Sequence, residues 1–492
     1  MRRNAKNREQ ADNPPVFLSF QRETMNNNYL TLAAPALLAA LLSCPAHAAP
    51  DLGAAHKLYQ ANCAQCHGKD LEGAAGPNLA DATWLHGQPS KANLVRLIGK
   101  GVPAKGMPAW DTQLSGSQIG QLAEYLMPAN AGARKAANAP ATADAAAAKT
   151  APALKLPKGF RITVFADKVE GARQLAVTDS GLVFVGSQKA GKVYALVDAD
   201  KDGVAEKVLT VAEGLNNPNG VALLDGALYV AEISRIIKFD DIEKTFAGKP
   251  AYKVIKNDLP KETWHGAKYI KAGPDGKIYV PIGAPCNICD KEDEAYSKIW
   301  RMNPDGSNWE LYARGVRNTV GFTWHPVSKE LWFTDNGRDE LGDNTPSCEL
   351  NVASKPGMHF GFPYCHGGVL PDPQFGKGKS CDAYVAPVAA LGPHVAPLGL
   401  AFYTGSQFPE QYRNQLLIAE HGSWNRTNKI GYQVRLLTLH GNKMVSDTAF
   451  IDGFLKDEEV SGRPVDIAMM PDGSILVSDD HAHKLYRVTY RR

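Results

Sequence analysis

The amino-acid sequence predicts a multidomain protein in which a small all-α domain precedes an all-β propeller of six blades. Three observations predict it. Between Ala54 and Leu126 apolar residues return at helical offsets. From residue 128 to 153 the composition collapses to Ala, Pro, Thr and a few Lys, with no apolar periodicity. Beyond that stretch one short unit, a turn followed by alternating apolar residues and a small or acidic stop, recurs six times. A chain of 492 residues also exceeds what one hydrophobic core supports. Its 54 basic and 51 acidic residues leave a net charge of +3 and no long basic stripe, which excludes nucleic acid as a main partner.

The first element is a leader. Leu30 to Leu42 is apolar but too short to span a bilayer, and it ends in Ala46-His47-Ala48, a small-x-small cleavage site. Residues 1–48 therefore read as a removable signal peptide, which places the mature chain in the periplasm with no transmembrane span. The charged stretch before Met25 leaves the start at Met1 or Met25, and Arg2-Arg3 lies too far from the apolar run for a twin-arginine signal. Leu41-Leu42-Ser43-Cys44 offers a second processing route, lipidation at Cys44, with a poor lipobox residue at Leu42.

Residues 51–127 carry the helical domain. Ala54 to Cys63 is helix-compatible and runs into Cys63-Ala64-Gln65-Cys66-His67. Two thiols so spaced add to the vinyl groups of a haem, and the adjacent imidazole takes one axial position on the iron, so one covalent haem c is expected. Met107 in Gly106-Met107-Pro108, about forty residues downstream, supplies the opposite thioether, which raises the iron potential. A zinc pair or a redox CxxC is the competing reading; the His directly after the second Cys argues against both. Ser90 caps a helix through Leu97. Ser115 and Gln118 have capping-box spacing before Ile119, Leu122, Tyr125 and Leu126, whose face packs on the first helix.

Residues 128–153 form a tether, and residues 154–492 form the propeller. The six copies are Gly181–Gly186, Gly226–Ala231, Gly276–Pro281, Glu330–Asp335, Gln415–Glu420 and Gly473–Ser478. They are about 45 to 60 residues apart, with one longer gap that implies an insertion between the fourth and fifth blades. A sandwich is the alternative, but it lacks such a period. Five Cys remain here. Cys286 with Cys289 and Cys365 with Cys381 suit disulfides, leaving Cys348; a zinc at Cys286 and Cys289 would lack two soft ligands. Asp198-Ala199-Asp200-Lys201-Asp202-Gly203 has oxygen ligands at alternate positions and a turning Gly, yet no bidentate Glu at the twelfth position. It reads equally as a structural calcium loop or an acidic hairpin.

Function must come from loops at one mouth of the ring. Trp264–Lys268, Arg314–Asn318, Asp335–Asp339, Glu420–Arg426 and Gly462–Asp466 flank the repeats and bring several cations together, which suits a ligand with multiple carboxylates. With Trp264-His265-Gly266-Ala267-Lys268, Ala313–Asn318, Phe333–Asp339, His359–Pro363 and Glu420–Asn425 in this order, the chain from about Lys155 onward resembles the sorbosone dehydrogenase-like sugar dehydrogenases that use pyrroloquinoline quinone (PQQ). More distantly it resembles soluble quinoprotein glucose dehydrogenase.

The resemblance implies roles. His265 would be the base that deprotonates a sugar or aldehyde-hydrate hydroxyl, a neutral imidazole poised near the working pH, with hydride passing to the quinone C5. Arg317 and Asn318 would polarise the quinone oxygen, and the carbonyls of Gly337 and Arg338 would hold a calcium ion. His421, Arg426 and Arg463 would contact the cofactor carboxylates, although Gly422 stands where a Lys is expected. The duller readings are a structural imidazole for His265, a loop brace for Arg317, turn caps for Asp335 and Asp339, and surface pairs for the other three. The expected whole is a quinohaemoprotein whose tethered haem, at an effective concentration on the order of millimolar, passes electrons from the quinone to an external acceptor. A calcium-dependent lactonase and a non-catalytic propeller docking a cytochrome are the rivals. A copper oxidase is weaker, since only His481-Ala482-His483 supports it.

Overall fold

The computed structural model describes residues 52–127, apart from 69–70, 74–75, 81–84 and 88–89, together with residues 154–491. The expected leader, with Cys44, and the expected tether lie outside the described residues. The chain divides into two compact units, one within the first 138 residues and one from residue 139 onward.

The first unit is built from helices α1 (Leu52–Asn62), α2 (Ala64–His67), α3 (Lys91–Lys100) and α4 (Gly116–Leu126). Ser115 and Gln118 form the expected capping box: Ser115 Oγ accepts from Gln118 N at 3.3 Å and Gln118 Oε1 accepts from Ser115 N at 2.9 Å. Ser90 caps α3, which continues past Leu97 to Lys100, where Gly101 at φ 62° turns the chain and donates to Leu97 O. Ile119, Leu122 and Tyr125 pack with Ala55 and Tyr59 of α1 in one buried cluster.

The second unit is an antiparallel propeller of six four-stranded blades among the described residues. Blade one runs from Leu175–Val177 to Lys207–Ala212, blade two from Gly220–Leu224 to Lys253–Lys256, and blade three from Lys271–Ala272 to Glu310–Arg314. Blade four runs from Phe322–Trp324 to Ala389–Pro393, and blade five from Pro397–Phe402 to Lys443–Ile451. Blade six combines Pro464–Met469, Ile475–Asp479 and Lys484–Tyr490 with the N-terminal strand Phe160–Ala166, in the register Phe160 opposite Tyr490. The ring is thus closed by hydrogen bonds between distant parts of the unit.

Each of the six repeated sequence units is the second strand of its blade. These strands are sandwiched between neighbouring blades, and Ala227–Ala231, Ile278–Ile282, Leu331–Asp335, Leu416–Glu420 and Ile475–Asp479 are buried along their whole length. The expected insertion falls inside blade four, between Ser347–Ala353 and Ala389–Pro393, and not between blades four and five. Its segment Met358–His359 adds in parallel to the outer edge of blade three. Disulfides join Cys286 to Cys289 and Cys365 to Cys381, while Cys348 is a buried free thiol.

In an antiparallel meander the loop entering the first strand and the loop leaving the second lie at the same end. The loops bearing His265, Arg317–Asn318, Asn336–Arg338, His421 and Arg463 are all of these two kinds, so they gather at one mouth. The hairpin at Asp198 joins third and fourth strands and lies at the opposite end.

Candidate active site

In the helical unit Cys63 and Cys66 are free thiols at the junction of α1 and α2. His67 Nδ1 lies 2.9 Å from Pro77 O; a carbonyl only accepts, so Nδ1 carries the proton and Nε2 keeps its lone pair. Gly76 leaves this ring space, because a Cβ there would stand 2.8 Å from His67 Cε1. Met107 is held in a tight loop in which Val102 N donates to Met107 O at 2.9 Å and Met107 N returns to Val102 O at 3.3 Å. Two free thiols, a bare imidazole nitrogen and a thioether on a constrained loop fit a haem c.

At the mouth of the propeller, His265 sits in the loop entering blade three with φ 49°. Its Nδ1 donates to Ala284 O at 2.8 Å, which again leaves Nε2 bare. Burial, helped by the Arg317 charge, pushes the imidazole from 6.5 down to about 3. It is neutral at ordinary pH, as expected, but well below the working range rather than poised within it. Asn318 stands beside it: a Cβ on Gly283 would meet His265 Cβ at 2.7 Å and Asn318 Oδ1 at 3.1 Å. Asp335 orients this stretch from below, accepting from Arg317 N at 2.8 Å and Asn318 N at 2.6 Å. Burial raises its carboxyl to about 6. The turn-capping reading of Asp335 matches this geometry.

Arg317 is 4% exposed, and all five of its guanidinium hydrogens are taken by the protein. Nε donates to Asn287 O, Nη1 to Asn336 O and Gly337 O, and Nη2 to Asn287 Oδ1 and Asp339 Oδ2, at 2.8–3.2 Å. It has no donor left for a quinone oxygen; in this arrangement it braces three loops, including the one closed by Cys286–Cys289. The same contact bears on calcium. Gly337 O already accepts from the Arg317 guanidinium, so this carbonyl as arranged does not fit a calcium ion; the Arg338 side chain pairs with Asp372 at 2.6 Å, a contact that does not involve the Arg338 carbonyl.

The three expected carboxylate contacts separate. His421 Nε2 lies 2.7 Å from Asp480 Oδ1 and donates to it, and burial lowers the ring to about 4, so a neutral His421 keeps no N–H for a cofactor carboxylate. Arg426 gives three of its five N–H donors to Asp343 O, Asn428 O and Asn344 Oδ1, bracing a loop, and keeps one hydrogen on each of Nη1 and Nη2. Arg463 reaches His421 O at 3.0 Å and Gly422 O at 3.3 Å, and its Nη1 keeps both hydrogens free for an anion.

Sequence reasoning passed over Arg173 and Asn287 and gave Asp339 only as a turn cap. Arg173, 4% exposed, joins Asp480 at 2.8 Å and Asn219 at 2.8 Å. Asn287 and Asp339 anchor the Arg317 brace. Arg173 lies two residues before the first strand of blade one, as Arg463 lies one residue before that of blade six, and that similar placement was the available signal. Trp264 and Trp424 stand exposed on the mouth loops at 52% and 73%. Cys286 and Cys289 are paired, which removes the zinc reading. Among the described residues the one cluster of three or more acidic, His or Cys ligand groups is at Asp198, at the end of the ring away from the mouth.

Residues 154–491, more than half of the chain, match the family model described as TrAA12-like. Residues 50–126 match the model described as cytochrome C oxidase, cbb3-type, subunit III. An uncharacterized protein of Borreliella burgdorferi is 37% identical over 355 residues, covering 69% of this chain and 91% of that one. Among solved structures, a calcium structure of Trichoderma reesei Carbohydrate-Active Enzymes Family AA12 aligns with a TM-score of 0.61 at 17% identity, covering 70% of this chain and 98% of that one. The holo form of the pyranose dehydrogenase PQQ domain from Coprinopsis cinerea aligns with a TM-score of 0.59 at 17% identity, covering 69% and 98%. The propeller has the fold of the PQQ dehydrogenases and is joined to a cytochrome-like domain; the chain belongs to the TrAA12-like family.

Proposed function

We propose that the chain is an exported, periplasmic quinohaemoprotein dehydrogenase that oxidises a sugar or aldehyde of the sorbosone or aldose type. The observation that carries this is the pair His265 and Asn318 at the mouth. His265 Nε2 is a bare base, its ring held through Nδ1 by Ala284 O, and the Asn318 side-chain amide makes no hydrogen bond among the described residues. His265 Nε2 takes the proton of the substrate hydroxyl as the adjacent C–H bond gives up hydride. Asn318 Nδ2 donates to the oxygen that gains charge, and Arg463 Nη1 binds a cofactor carboxylate. PQQ, when bound, would supply the two-electron acceptor for that hydride, and a haem c held by Cys63, Cys66, His67 and Met107 would supply one-electron transfer to an external acceptor. Arg317 acts as a positioning residue. Trp264 lies edge-on to His265, with ring centroids 5.8 Å apart, and offers an apolar face to the C–H side of a sugar ring.

A lactonase on this fold needs carboxylates around a metal at the mouth, and among the described residues no such cluster of three stands there. The deciding experiment adds PQQ and a panel of aldoses, aldehydes and alcohols to the haem-loaded protein and follows haem absorbance. Reduction by one substrate class supports the reading. A haem that stays oxidised with every substrate sinks it and leaves a docking propeller with an electron carrier.

A further inference from the structure

We propose that the hairpin from Asp198 to Glu206 is a structural calcium site that fastens the closing seam of the propeller. Asp198, Asp200, Asp202 and Glu206 each offer a carboxylate oxygen, and these four atoms lie within 4.8 Å of one another. The residues stand at loop positions one, three, five and nine, with Gly203 at position six, where φ 95° makes the sharp turn a calcium loop requires. Glu206 is the ligand missing from the twelfth position, found three residues earlier.

An independent observation points to a cation. Asp198 is 7% exposed; its Oδ2 accepts from Gly203 N at 3.1 Å, while its Oδ1 is buried with no partner. An ionised oxygen left bare in the interior is costly unless a positive charge meets it. The other three carboxylates each give one oxygen to a loop amide: Glu206 to Ala199 N, Asp200 to Asp202 N and Asp202 to Val204 N, at 2.7–3.1 Å. One oxygen of each is left over. Four carboxylates whose oxygens come this close repel one another. A divalent cation relieves that crowding directly.

The site touches the seam. Ala205 N donates to Phe165 O at 2.7 Å, and Phe165 belongs to the N-terminal strand that completes blade six. A Cβ on Gly203 would collide with Arg487 Nη1 of the C-terminal strand, so the loop backbone rests on both strands that close the ring. Lacking a bidentate Glu at position twelve, the loop belongs with sites of roughly 10⁻⁴–10⁻³ M affinity, the range of extracellular modules.

The test uses the full chain stripped with EGTA and titrated with calcium chloride, read by calorimetry and by thermal melting of the propeller. One saturable site and a Tm rise of roughly 2–5 °C at a hundredfold excess are expected. The double variant D200N/D202N keeps the oxygen that each side chain gives to a loop amide and both positions are exposed, so the fold survives. It should bind calcium at least about tenfold more weakly and lose the Tm rise. Glu206→Gln should weaken binding in the same direction. Wild-type protein that shows no saturable binding by about 10 mM overturns the proposal. So does a double variant that retains the full Tm rise, which would place the calcium elsewhere.

Discussion

His265 and Arg317 are tied to each other through one residue, Ala284. Ala284 N donates to the Arg317 carbonyl at 2.8 Å, and Ala284 O accepts from His265 Nδ1 at 2.8 Å. The tautomer and direction of the imidazole therefore depend on backbone that the Arg317 network holds. A residue without a cofactor contact can in this way govern the base.

The tightest point of that link is Gly283. A methyl group there would stand 2.7 Å from His265 Cβ, closer than real Cβ contacts come, and 3.1 Å from Asn318 Oδ1. Gly283→Ala should cost about 1–3 kcal/mol of stability, as overpacking does, and lower kcat roughly 100-fold by displacing the imidazole. Paired melting and haem-reduction assays check this. A variant with wild-type kcat would show that His265 need not sit where the structure puts it.

His265 also fixes a pH dependence. Folded, it binds its proton near pH 3; unfolded, near 6.5. Between those values the unfolded chain carries more protons, so stability from this group is complete above pH 6.5 and is lost as pH falls toward 3. For catalysis the expectation is a kcat/KM that does not fall between pH 8 and pH 5 on account of the base, with its acid limb nearer pH 3 than 6.5. His265→Ala should lower kcat by roughly 10²–10⁴-fold at every pH in that range. An acid limb at the ordinary imidazole value would point to another, solvated group.

The blades were legible because a second strand buried on both faces needs a near-continuous apolar run, and Gly276 to Pro281 or Gly473 to Ser478 show it in plain residues. The position of His265 at the mouth followed from its offset before such a strand. The brace made by Arg317 was legible only as the duller of two readings, and its partners were not legible. Its partners Asn287, Asn336 and Asp339 lie 19 to 30 residues away and accept partly through backbone oxygens, which no side-chain pattern records. The same holds for His421, whose role turns on Asp480, 59 residues later. Glu206 escaped notice for a simpler reason: a calcium loop usually carries this carboxylate at its twelfth position, and here it stands at the ninth.

Arg317→Met removes five hydrogen bonds and leaves the largely buried Asp339 without its cation. The loss of a buried charge from such a network typically costs 3–5 kcal/mol, about that much is expected here, and Arg317→Lys should recover only part because three donors cannot replace a planar fork of five. Chemical denaturation measures it. Should Arg317→Lys match the wild type in both stability and kcat, the brace would carry no weight.

The proposed haem ligands separate by two kinds of reading. His67 Nε2 is left bare by the bond from Nδ1 to Pro77 O, so His67→Ala should lose the low-spin spectrum altogether. Met107 is presented by the Val102 loop, and a thioether there raises the iron potential. Met107→His keeps six-coordinate iron but should lower the midpoint potential in a redox titration, and substrate-driven haem reduction should slow while quinone-linked dye reduction stays at its wild-type rate. That divergence is the point of the test, because it moves only if electrons leave the propeller through this iron. Equal slowing of both assays would instead mean that the substitution had disturbed the protein more broadly, and an unchanged potential would remove Met107 as the sixth ligand.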